Sequence, residues 1–113
     1  MKNIILAILL ILTAIVAKST TFAVTSTGDS GPNTLRYALQ MCAASTGPHT
    51  INFNIPTTDA NYNSNTGVWI IVPSSDLPMI MQQGVTIDGT TQTVFAGDTN
   101  PFGPEIVIDG SNA

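Results

Sequence analysis

Apolar residues run from Ile4 to Ala17 with only Thr13 interrupting, and the run ends at the polar stretch Lys18-Ser19-Thr20-Thr21. Beyond it the pattern shortens. Phe22 to Thr25 is apolar and β-prone, and Ser26-Thr27-Gly28-Asp29-Ser30-Gly31-Pro32 is dense in turn formers, which predicts a strand followed by a tight loop. Asn33 or Thr34 can then cap a helix, because a short side-chain oxygen accepts from the unpaired amides of a first turn. Leu35, Ala38, Leu39 and Cys42 recur at helical spacing, which predicts one helix over residues 34–44, ended by Gly47-Pro48.

From Thr50 onward the helical period is absent, and four β-prone segments stand between Pro, Gly and Asn boundaries: Ile51 to Ile55, Val68 to Val72, Val85 to Asp88, and Ile106 to Asp109. The intervening Pro56 to Gly67 is rich in Asn and Thr and reads as a loop projecting from the body. Val85-Thr86-Ile87-Asp88-Gly89-Thr90 and Ile106-Val107-Ile108-Asp109-Gly110-Ser111 match position by position at an offset of 21 residues. Such a period suggests a solenoid in which each coil stacks a strand on the previous one. The alternatives are a pair of Asp-Gly hairpin turns in an antiparallel sheet and a small β-sandwich.

The first apolar run, read with Lys2 before it and the polar exit after it, has the form of a secretory signal peptide. A membrane span needs ~20 apolar residues, and this run is shorter. The expected division is residues 1–19 as signal peptide and 20–113 as the mature domain, with cleavage after Ser19 or after Ala17. The expected location is outside the cytoplasm, secreted or at the cell surface, with no stable membrane span after cleavage. The seven acidic residues all lie behind this segment, against Arg36 and at most Lys18. Nucleic acid is thereby disfavoured as a partner, since neutralising phosphates needs Lys and Arg. Cys42, the single cysteine, has no internal partner for a disulfide and reads as a small buried hydrophobe.

Phe22-Ala23-Val24-Thr25, Asp29-Ser30-Gly31-Pro32, Leu35-Arg36-Tyr37-Ala38-Leu39, Thr50-Ile51-Asn52-Phe53 and Val85-Thr86-Ile87-Asp88-Gly89-Thr90-Thr91-Gln92 follow one another in order. They resemble the N-terminal module of secreted bacterial surface proteins of the pectate-lyase-like superfamily. The chain departs from that pattern at Asn33-Thr34, at Leu39 and at His49, where the family usually carries Gly-Ser or Cys-Ser, Ile and an acidic residue. The resemblance implies an all-β fold, the first coils of a right-handed parallel β-helix, with the 34–44 helix as a short N-terminal cap. Arg36 is then structural, pairing with loop carbonyls or Asp29. With no closing element after Ala113, the expectation is the N-terminal part of a longer protein or a truncated reading frame.

Candidate chemistry is sparse. Gly28-Asp29-Ser30-Gly31-Pro32 looks like a serine-protease nucleophile turn, but the histidine and aspartate of that order must precede it, and the sole histidine, His49, follows. His49 reads as an exposed loop residue, without companions for zinc. Asp98, Asn100, Gly103 and Glu105 faintly resemble a calcium loop that Pro101 and Pro104 interrupt. If the repeat stacks, Asp88 and Asp109 lie ~4.8 Å apart on neighbouring coils and repel or recruit a cation. The bland alternative is two self-capped Asp-Gly corners. No catalytic, cofactor or metal residue is assigned. The expectation is a non-catalytic β-helix module for adhesion or glycan contact, its partner a polysaccharide or cell-surface glycan. The alternative is the front of a polysaccharide lyase or glycoside hydrolase whose catalytic residues lie beyond residue 113. Trp69 is expected in the core rather than against sugar.

Overall fold

The computed structural model describes residues 19–81 and 83–113; the expected signal peptide, Ser19 apart, lies outside the described residues. Strand β1 (Thr20–Val24) leads through the Gly- and Ser-rich turn to helix α1 (Leu35–Ala44) and then to strand β2 (His49–Phe53). Strands β3 (Tyr62–Asn63), β4 (Val68–Ile71) and β5 (Val85–Asp88) follow. Helix α2 (Thr90–Ala96), strand β6 (Ile106–Ile108) and a single 3-10 turn (Gly110–Asn112) complete the chain.

The strands form two sheets of three, in the orders β1-β2-β5 and β3-β4-β6. The first is all parallel, with Phe22, Ile51 and Ile87 in register across it. In the second, β4 pairs parallel with β6 and antiparallel with β3. The central strand β2 alternates buried and half-buried positions, the period of a pleated strand with one face on the core. Val24, Ile51, Phe53, Ile55, Trp69 and Ile71 meet the buried stripe of α1, Leu35, Ala38, Leu39 and Cys42, in one cluster. The stripe anticipated from helical spacing is therefore the face that packs.

Helix α1 starts where a cap is available. Thr34 stands in extended backbone, and its Oγ1 accepts from the Tyr37 amide at 3.2 Å while donating to the Gly31 carbonyl at 2.7 Å. Arg36, on the first turn, pairs with Asp29 at 2.9 Å and donates to the carbonyls of Asp29, Ser75 and Asp76. It joins the first loop to the segment after β4.

Several expectations are corrected. The described residues form a small α/β structure with two α-helices and two three-stranded sheets, not an all-β right-handed parallel β-helix with one capping helix. The 21-residue repeat does not stack: β5 lies on β2 in the first sheet and β6 on β4 in the second, so Asp88 ends a strand of one sheet and Asp109 follows a strand of the other. What the two copies share is local. In each, the Asp Oδ1 accepts from the amide two residues on, Thr90 or Ser111, at 3.0 Å, and each turn opens a helical segment. Matching sequence encodes the same Asp-to-amide hydrogen bond, and the sheet partner differs.

Helix α2 carries no apolar stripe facing the core; its one buried residue is Gln92, while Val94 and Phe95 are exposed. It is held by hydrogen bonds at the point where β2 outruns β5. Pairing ends at Asn52 with Asp88, and beyond it the Phe53 amide donates to Thr91 Oγ1 at 2.8 Å. The Ile55 amide donates to Gln92 Oε1 at 2.9 Å, and Gln92 Nε2 donates to the Ile55 carbonyl at 2.8 Å. A side-chain amide thus replaces a neighbouring strand, which satisfies buried backbone groups that otherwise cost ~1 to 3 kcal/mol each.

The segment Pro56 to Gly67 does not project; it folds back as the β3–β4 hairpin. The amides of Thr66 and Gly67 both donate to the Asn63 carbonyl, and Gly67 closes the turn at φ +69°. A side chain is excluded there on a second count, since a Cβ at Gly67 would stand 1.8 Å from the Thr99 carbonyl oxygen.

Candidate functional site

The hairpin places a groove of about 520 Å³ between its own outer side and the turn after β6. This is within the ~300 to 1,000 Å³ of small-ligand sites. Its apolar floor is Ile70 and Val72, both half-buried. Asn61, Tyr62, Asn63 and Ser64 line one side and Asp109 is on its rim.

Each wall residue is positioned by backbone pairing. Tyr62 is opposite Trp69 in the β3–β4 register, and their rings lie 4.4 Å apart at 35°. Trp69 is fully buried, with its indole N–H donated to the Pro56 carbonyl at 3.0 Å, so the Tyr62 ring packs toward the core, on the face opposite Ile70 and Val72. This is the core role expected for Trp69. The Asn61 carbonyl accepts from the Ile70 amide, and the Asn61 side-chain amide donates to Thr27 Oγ1 at 3.0 Å. Asn63 Oδ1 accepts from the Asn65 amide at 3.0 Å.

Asp59 braces this hairpin from the first loop. Its carboxylate accepts from the Thr27 hydroxyl and amide and from the Asn61 amide. Partial burial pushes its carboxyl up, but the hydrogen bonds from Thr27 and Asn61 outweigh that and hold it below the usual range. On the opposite rim, the Asp109 amide donates to the Ile71 carbonyl at 2.8 Å, which fixes the residue's position. The Ser111 amide and hydroxyl hold the Asp109 carboxyl below its ordinary value, so it is ionised through the neutral range.

The residues singled out from sequence do not assemble. Ser30 is exposed in its turn, and His49 is the buried first residue of β2, not an exposed loop residue. The Nε2 of His49 bonds to the Ser45 hydroxyl and carbonyl, both at 3.2 Å, and its ring packs 5.4 Å from that of Phe22. Glu105 is buried and accepts from the Thr93 hydroxyl at 2.8 Å, and Asn100 donates to the Pro104 carbonyl. Those two side chains of the suspected calcium loop are therefore engaged internally. Among the described residues no three His, Cys, Asp or Glu side chains come together as a metal-holding group. Cys42 is buried, and burial pushes its thiol up and keeps it protonated.

Of the groove residues, sequence reasoning singled out only Asp109, and for a different reason. The available signal was Tyr62, an aromatic within a polar run, six residues before Val68 and ahead of the turn-forming Asn63-Ser64-Asn65-Thr66-Gly67. A second cavity, lined by Pro73, Leu77, Met79 and Ile108 with Asp76 as its charged group, offers fewer converging polar groups. No protein-family model matches the chain, and neither a curated protein nor a solved structure matches it.

Proposed function

We propose that this chain is an exported, non-catalytic module that contacts glycans through the Tyr62 groove. The observation that carries this reading is a row of Asn, Ser and Asp side chains over the aliphatic floor of Ile70 and Val72, on the face of the hairpin opposite Trp69. A sugar presents the matching surface: C–H faces that pack on an aliphatic floor and hydroxyls that both donate and accept. Export rests on the n-region, apolar run and polar exit of residues 1–19. The opening motifs shared with secreted surface proteins point to the same location.

The reading is tested by retention of the purified protein on a panel of immobilised polysaccharides. Binding to at least one class is expected. Ser64→Ala, which removes one hydroxyl from the groove wall, weakens binding about threefold to tenfold. Retention on none of the panel, or unchanged affinity in both Ser64→Ala and Asn63→Ala, contradicts the assignment.

A further inference from the structure

Resting on the glycan reading of the groove, we propose that the preferred ligand is an amino sugar with a free amine, and that Asp109 receives the ammonium group. The groove's lining contains one charged side chain, the Asp109 carboxylate, and no Lys, Arg or His. The remaining polar groups, Asn61, Asn63, Ser64 and Tyr62, are neutral and suit hydroxyls.

Among the described residues no free cation stands ready to receive an acidic sugar. Arg36, the only arginine, is held by Asp29 and by the carbonyls of Ser75 and Asp76. Lys2 and Lys18 both precede the domain, and the whole chain has a net charge of −4. A uronate entering the groove therefore meets a like charge without compensation. An ammonium meets an opposite charge, and the hydrogen bond it donates is of the charge-assisted kind, about twice as strong as a neutral one. The carboxylate is already oriented, because its Oδ1 accepts from the Ser111 amide at 3.0 Å and its backbone is tied to Ile71.

The test is calorimetric titration of the purified protein with three tetrasaccharides: glucosamine, N-acetylglucosamine and galacturonate. At about pH 5.5 a carboxylate is ionised while a sugar amine is protonated. The glucosamine oligomer is expected to bind at least about tenfold more tightly than its acetylated form, and the uronate not measurably. Asp109→Asn retains an acceptor for the Ser111 amide, so the turn persists while the preference between the first two sugars disappears. Asp88→Asn, the matching change on the other sheet, leaves the preference intact.

Equal affinity for the two glucosamine-type sugars overturns the inference and leaves the glycan reading standing. So does a preference that survives Asp109→Asn, or one that Asp88→Asn removes equally, which would mark general attraction to an acidic surface. Binding of none of the three sugars, together with no retention on the polysaccharide panel, overturns both.

Discussion

Gln92 shows how a polar side chain becomes structural. It is fully buried, and both ends of its amide are bonded to Ile55, in the manner of an added strand. Gln92→Ala leaves an unpaired amide and carbonyl in the core as well as a void. A loss of about 2 to 4 kcal/mol is expected in urea unfolding. Asp29 acts through charge. The Ser74 hydroxyl and the Arg36 guanidinium hold its carboxyl below the ordinary value of 3.8. A folded-state value below the unfolded one means that the unfolded chain binds the proton first. The stabilisation is complete above the unfolded value and is lost as pH falls through the folded one. Asp59, Glu105 and Asp109 are shifted the same way. The thermal midpoint is therefore expected to fall as pH drops below about 4, and Asp29→Asn to flatten that fall. A midpoint independent of pH in this range contradicts the assignment.

Elements differ in how plainly the chain announces them. Helix α1 was legible because Leu35, Ala38, Leu39 and Cys42 form an apolar stripe and Thr34 caps it. Strands β2 and β4 were legible because their buried positions, His49 apart, are aliphatic or aromatic. Helix α2 was not, since what holds it is Thr91 and Gln92 bonding to β2, and hydrogen bonds leave no period in hydropathy. The β3–β4 hairpin was missed for a related reason: β3 is two residues long, and one of them is Asn63. Its turn depends on Gly67, where φ is positive and the Thr99 carbonyl closes off the Cβ position. Gly67→Ala is expected to cost at least about 2 kcal/mol and to displace the groove. Gly31→Ala, at φ +89° with open space around it, costs only the backbone strain of about 1 to 2 kcal/mol. Paired thermal melts distinguish the two, and similar losses contradict the close approach to Thr99.

At the scale of the whole molecule, the repeat was read as a stacking rule, but it is a turn rule. Two copies of Ile-Asp-Gly-hydroxyl build the same Asp-bonded turn, and the two strands then join different sheets because β2 and β4 offer different open edges. The groove could not be inferred from either copy alone, since it needs Asp109 from one segment and Tyr62 from a hairpin more than 40 residues earlier. The first sheet bears on the expected N-terminal boundary. Strand β1 pairs from Thr20 onward with β2, and Phe22 packs on the His49 ring. N-terminal sequencing of exported protein is expected to give Lys18 or Thr20 as the first residue; a start at Val24 removes nearly all of β1 and contradicts the division at residue 19.

The central claim, a glycan site in the Tyr62 groove, is tested most directly by NMR titration of the isotope-labelled protein with oligosaccharides of each class on the polysaccharide panel. Saturable shifts are expected at Asn61, Tyr62, Asn63, Ser64 and Asp109, with the amides of β1 and β2 unmoved. Saturable shifts centred on other residues, or none at millimolar sugar, contradict the account.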